Sequence, residues 1–104
     1  YHDLMAELNT KFPRPEVTVQ DMVDHIDHIV NLIGIDYVGI GSDFDGGGGL
    51  TGWNGADDAF NVTLELVKRG YTEDDIRKIW GENLLRVWRE TERVAKELQA
   101  TEWR

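Results

Sequence analysis

The sequence predicts an α/β protein in which one short buried strand stands among about five helices. Three observations predict it. Ile35, Tyr37, Val38 and Ile40 lie in a run rich in β-branched and aromatic residues, with Asp36 almost its only polar side chain. Such a run suits a strand covered on both faces, as in a parallel sheet. Around it, apolar residues recur at steps of three and four, the period of amphipathic helices. Directly behind it, two carboxylates, Asp43 and Asp45, precede the glycine run 46–49. A flexible loop at the end of a strand is where α/β proteins place their chemistry.

Each element has its own signal. Leu4, Met5, Leu8 and Phe12 share one face of a helix over 3–12, which Pro13 and Pro15 stop. Thr18-x-x-Asp21 opens a second helix in the manner of a capping box, with Asp for the preferred Glu. Val19, Met22, Val23, Ile26, Ile29, Val30 and Ile33 give that helix a strong apolar stripe, and Gly34 ends it. The strand follows over 35–40, with Gly39 and Gly41 marking close backbone approach, as in a crowded barrel interior. A third helix covers about 57–69, with Phe60, Leu64 and Val67 on one face and Gly70 behind it. Thr72-x-x-Asp75 opens a fourth, carrying Ile76, Ile79 and Trp80, which Gly81 breaks. The fifth runs from about 82 to 98 through Leu84, Leu85, Val87, Trp88, Thr91, Val94 and Leu98.

The whole chain, 1–104, reads as one unit that is incomplete as given. One strand cannot make a sheet, and a buried unpaired strand leaves backbone donors unsatisfied. Residues 35–40 therefore call for neighbours that the chain does not supply. The opening Tyr1-His2-Asp3 has neither an initiator Met nor a signal-peptide pattern, so the chain is expected to start within something longer.

Composition excludes several classes. With 20 acidic against 11 basic side chains, the net charge is −9, and phosphate contacts need a Lys/Arg face. Nucleic acid is therefore no expected partner, nor is an anionic membrane surface. The absence of cysteine removes disulfides and Cys-based zinc sites. None of this selects a compartment.

Asp43-Phe44-Asp45-Gly46 is the sharpest candidate site. Carboxylates at i and i+2 past a buried strand can ligate metal, act as general base or attack as nucleophile. They face one way if the strand continues through them, and only one faces the site if the chain turns at Phe44. The bland alternative is a loop whose Asp side chains cap local backbone. An EF-hand starting at Asp43 fails, because Gly47 and Asn54 fall where ligands belong. Gly47-x-Gly49-x-x-Gly52 fits a phosphate cradle only formally, and the two Asp would repel a pyrophosphate. A buried strand followed by Asp-x-Asp-Gly also resembles the first motif of haloacid-dehalogenase phosphatases, with Asp43 as nucleophile and Asp45 as acid/base. Gly47 stands where that family usually has Thr, and only helices follow.

His25 and His28 stand beside Asp21 and Asp24 on the second helix. A zinc site is conceivable there, but the apolar stripe passes them by, so a solvated face is expected. Glu73, Asp74 and Asp75 complement a helix dipole. Trp53, Trp80, Trp88 and Trp103 are core or interface candidates, with Trp53 the one placed to touch a ligand.

Four blocks together carry a resemblance: Asp24-His25-Ile26-Asp27-His28-Ile29; Gly34 through Gly46; Arg69-Gly70-Tyr71-Thr72-Glu73-Asp74-Asp75-Ile76; and Gly81-Glu82-Asn83-Leu84-Leu85-Arg86-Val87. In order and spacing they resemble the C-terminal third of the membrane (renal) dipeptidase family. The resemblance implies the C-terminal portion of an amidohydrolase-type (β/α)8 TIM barrel. It implies hydrolysis of dipeptides through a water activated by two zinc ions. Asp43 matches the family's last-strand aspartate, which is catalytic and lies close to the substrate's amino group. The family's metal ligands and its substrate-clamping Arg lie on earlier strands, so this chain is expected to hold no metal ligands and to need the remainder of the barrel as partner. Alone it should be catalytically silent.

Two other readings stand beside this one: the phosphatase-like site of Asp43 and Asp45, and a non-catalytic helical interaction domain. The last makes a homo-oligomer the candidate partner, covering exposed strand edges.

Overall fold

The computed structural model describes residues 1–102. Five α-helices carry most of the chain: α1 (His2–Lys11), α2 (Val19–Ile33), α3 (Ala59–Lys68), α4 (Glu73–Arg77) and α5 (Asn83–Glu102). Single 3-10 turns occur at Ile35–Tyr37, Phe44–Gly46 and Ala56–Asp58, and a π-helical turn, Lys78–Glu82, joins α4 to α5.

The caps form as their sequences predict. Thr18 Oγ1 accepts from the Asp21 amide at 3.3 Å, and Asp21 Oδ2 accepts from the Thr18 amide at 2.9 Å. Thr72 and Asp75 repeat the exchange at 3.1 Å both ways. Each pair satisfies two amides that a helix start would leave orphaned. Gly34 ends α2 at φ 101°, ψ 164°, a conformation essentially confined to glycine.

The expected strand does not form. Among the described residues there is no β-strand, only isolated bridges between Thr18 and Thr51 and between Leu50 and Trp53. Gly34 turns the chain directly into the 3-10 turn at Ile35–Tyr37. Val38 is then extended (φ −115°, ψ 141°), and the backbone over 38–42 lies in no helix, turn or ladder. The side-chain pattern reads burial correctly for Val38, which is 3% exposed. Ladder formation needs a second strand, and none lies alongside among the described residues.

The core lies between α2, α3 and the α4–α5 junction. Val23, Val62, Leu66 and Ile79 are fully buried, joined by Val19, Ile26, Val38 and Trp53. Each fully buried aliphatic side chain is worth about 1.5–3 kcal/mol over its exposed state. The α3 stripe differs from expectation. Phe60, Leu64 and Val67 are exposed, while Val62 and Leu66 face the core. The helix carries two apolar stripes, and α2 covers the one four residues apart.

Gly81 does not break the helix. It sits inside the π turn, so the α4–α5 run is helical from Glu73 to Glu102. Of the tryptophans, Trp53 is core at 5% exposed, Trp80 is half-buried and Trp88 is exposed; Trp103 lies outside the described residues.

The radius of gyration is 19.0 Å, where a compact chain of this length would have about 13 Å. Consistent with that, α1 buries none of its residues. Phe12, Tyr37, Leu84 and Trp88 are all exposed.

Candidate functional site at the Asp43 turn

The 38–42 segment is held at its start by α5 and the turn before it. Asn83 is buried, and its Nδ2 donates to the carbonyls of Ile35 (2.8 Å) and Val38 (2.9 Å). Arg86 Nη2 donates to the Asp36 carbonyl at 2.6 Å, with its guanidinium 5.9 Å from the Tyr37 ring centre. Lys78 Nζ pairs with Asp36 Oδ1 at 2.8 Å. That contact holds the Asp36 carboxyl below the usual carboxylate range and the Lys78 ammonium above its own. Asn83, Leu84 and Val87 also line an open apolar cleft of about 300 Å³ beside Tyr37, Val38 and Gly39.

At its far end the segment turns sharply on Asp43. Asp43 sits at φ 55°, ψ 34°, and among the described residues it alone has positive φ without being glycine. The general cost of this left-handed conformation for an L-residue is about 1–2 kcal/mol, and Asp, whose short side chain bonds locally, is among those that bear it most readily. Behind it the glycines fold into a hydrogen-bonded turn. The amides of Gly46 and Gly48 both donate to the Asp43 carbonyl, at 2.9 and 2.7 Å. A Cβ on Gly48 would meet the Ser42 carbonyl oxygen at 1.9 Å, and one on Gly46 would meet Asp43 Oδ1 at 2.2 Å. The carboxylate is thus folded back over the Gly46 backbone.

An aromatic stack supports the turn from below. The Phe44 ring meets Trp53 edge-on, centroids 5.2 Å apart, and Trp53 meets Trp80 edge-on at 6.1 Å. Trp80 Nε1 donates to Thr63 Oγ1 at 2.9 Å. Trp53 Nε1 is buried without a hydrogen-bond partner. Trp53 is therefore a core residue that supports the turn, in keeping with its reading as a core candidate.

Asp43 is exposed, and no Lys or Arg pairs with it among the described residues. An unpaired carboxylate on such a turn can accept hydrogen bonds from an ammonium group or hold a proton. Asp45 lies on the 3-10 turn Phe44–Gly46, so the chain turns between the two acids and they do not continue one strand. His25 and His28 are exposed on α2. Among the described residues no three His, Asp or Glu side chains gather as a metal site would require. The residues present therefore do not fit a resident two-metal centre.

The strongest electrostatic cluster lies elsewhere, between α2 and α3. Arg69 reaches Asp24 (2.6 Å), Asp27 (2.7 Å), Glu65 (3.0 Å) and the Gln20 carbonyl (3.0 Å). Tyr71 donates its hydroxyl to Asp27. Sequence reading quoted most of these residues, and Asn83, within the blocks that carry the resemblance and gave none of them a structural role. Partners more than 40 positions apart leave no local pattern; the one clue was a polar Asn83 beside apolar Leu84 and Leu85.

An exposed carboxylate in a left-handed backbone conformation, set on a glycine turn at the end of the 38–42 segment, is the candidate site. The family model for membrane dipeptidases (peptidase family M19) matches residues 4–102, and the chain belongs to that family. It is 40% identical over 89 residues to the dipeptidase tcpJ of Claviceps purpurea (strain 20.1), covering 85% of this chain and 21% of that one. Its structure resembles that of the "probable dipeptidase PvdM" of Pseudomonas aeruginosa, with TM-score 0.71 and 49% identity, over 73% of this chain and 19% of that one. The chain spans about a fifth of the length of these relatives. Nothing in these comparisons favours the phosphatase-like reading of Asp43 and Asp45.

Proposed function

We propose that this chain is the closing portion of a dipeptide-hydrolysing (β/α)8 barrel, and that Asp43 is its catalytic and substrate-binding carboxylate. The observation that carries this reading is the left-handed Asp43 backbone. Asp is among the non-glycine residues that enter this region most readily, and positive-φ residues other than glycine cluster at functional sites. Membership of the dipeptidase family supplies the reaction class.

In this reading the 38–42 segment is the last barrel strand, and its neighbours come from the remainder of the barrel. The exposed Phe12, Tyr37, Leu84 and Trp88 support that partner, since large apolar groups are normally covered. Asp43, at the barrel's mouth, accepts the ammonium of a dipeptide and takes up a proton during amide cleavage. The zinc ions of the family are proposed to lie on elements outside these residues, and Asp43's part is independent of which ligands hold them. By itself the chain is proposed to be inactive.

The test is Asp43→Asn in the complete protein to which this segment belongs. Hydrolysis of alanyl-alanine should fall by about 10²- to 10⁴-fold, with the fold retained by circular dichroism. Unchanged turnover would remove Asp43 from the site. Dipeptide hydrolysis by residues 1–104 alone would overturn the need for the rest of the barrel.

A further inference from the structure

The helix that follows the site carries one irregularity, and it falls where the site is anchored. In the turn Lys78–Glu82 the Asn83 amide donates to the Lys78 carbonyl, five residues back. A π turn inserts one residue, so the helix beyond it is rotated by about 100° relative to the helix before it. Two groups flank that insertion. Trp80 supports the Trp53–Phe44 stack, and Asn83 turns inward to the carbonyls of Ile35 and Val38. One helical turn thereby fixes both ends of the segment that delivers Asp43.

Asn83 is the buried polar side chain of the core, 5% exposed among the described residues. Three of its hydrogen bonds are made: two donations from Nδ2, and one accepted by Oδ1 from Arg86 Nη1 at 3.1 Å. No other side chain of this size both donates twice and accepts once in that geometry. Asp offers only acceptors when ionised, and would face two carbonyl oxygens. Leu would leave both carbonyls unmet.

We propose that Asn83 is a positioning residue for Asp43. It sets the register at which 38–42 leaves its turn, and so where the carboxylate five positions on arrives. This rests on the reading of Asp43 as the reacting carboxylate.

The experiment compares Asn83→Asp with Val23→Ala, a core truncation on α2 that removes no hydrogen bond to the Ile35 or Val38 carbonyl, in the complete protein with alanyl-alanine as substrate. Asn83→Asp should lower kcat by about 10- to 100-fold with KM little changed, the signature of a misplaced group. Val23→Ala should keep kcat even where it lowers Tm as far. Equal loss of kcat in the two variants, or none in Asn83→Asp, would overturn the proposal. Hydrogen exchange read on peptides covering 35–44 needs no substrate. It should rise in Asn83→Asp and not in Val23→Ala, and unchanged exchange would also overturn it. Raised exchange in a protein whose wild type cleaves no dipeptide would support the anchor and sink the dipeptidase reading instead.

Discussion

Arg69 and Asp27 meet across 42 positions of sequence, with Nη1 donating to Oδ2 at 2.7 Å. The contact fastens the end of α3 to the middle of α2, with Tyr71 holding the other oxygen of Asp27 at 2.5 Å. Partial burial pulls the Asp27 carboxyl upward, but the bonds from Tyr71 and Arg69 outweigh it and hold it below its ordinary 3.8.

A depressed carboxyl stabilises the fold above its unfolded value, and that contribution disappears as pH falls through the folded value. Asp27→Asn should therefore cost about 1–2 kcal/mol at pH 7, discounted for the partial exposure of Asp27. The gap from wild type should close below pH 4. Urea unfolding at pH 7 and pH 3 reads both, and an equal gap at the two values would contradict the assignment. Tyr71 acts at the other end. Burial and the Asp27 bond raise its phenol above 10, so its contribution is intact below that pH and fades as pH climbs further.

The two stripes of α3 can be told apart by truncation. Leu66→Ala removes a fully buried side chain and should cost about 2–5 kcal/mol. Val67→Ala, beside it but exposed, should stay within about 0.5 kcal/mol of wild type. Thermal unfolding of the pair decides which stripe the core uses.

The capping boxes should be separable from the packing they introduce. Thr18→Ala and Thr72→Ala each delete one half of a reciprocal pair and should cost about 1 kcal/mol each. They lie on different helices and share no partner, so the double variant should lose about the sum. A marked departure from additivity in denaturant melts would show the two helix starts to be coupled.

Glycine positions near the site should respond in opposite directions. Gly48→Ala places a Cβ against the Ser42 carbonyl and must move the backbone at Asp43. In the complete protein its kcat/KM should drop by about 10²-fold. Gly81→Ala meets nothing within 4 Å and lies in a helical turn. It should raise stability by about 0.5–1 kcal/mol, whereas a true helix break at Gly81 would make the substitution destabilising.

What was legible in the sequence was local. Thr18-x-x-Asp21 and Thr72-x-x-Asp75 announce helix starts because the partners are three residues apart. The apolar run at 35–40 announced the burial of Val38, but burial and strand formation are separate facts, and the second needs a neighbour. On α3 two apolar stripes competed, and only the position of α2 chooses between them. Asp43 stood out through its place before a glycine run. Its left-handed backbone, the two hydrogen bonds from Asn83 and the Phe44–Trp53–Trp80 stack depend on residues brought together by folding.

In the proposed reading, the conformation of Asp43 sets stability and chemistry at odds. Glycine at 43 would relieve the left-handed strain, so any search for a more heat-resistant version of this chain should drift toward Asp43→Gly. Such a search would select, as an improvement, the loss of the carboxylate proposed to do the chemistry. A library screened by melting temperature and by turnover in parallel would therefore see the two rankings diverge at this position first.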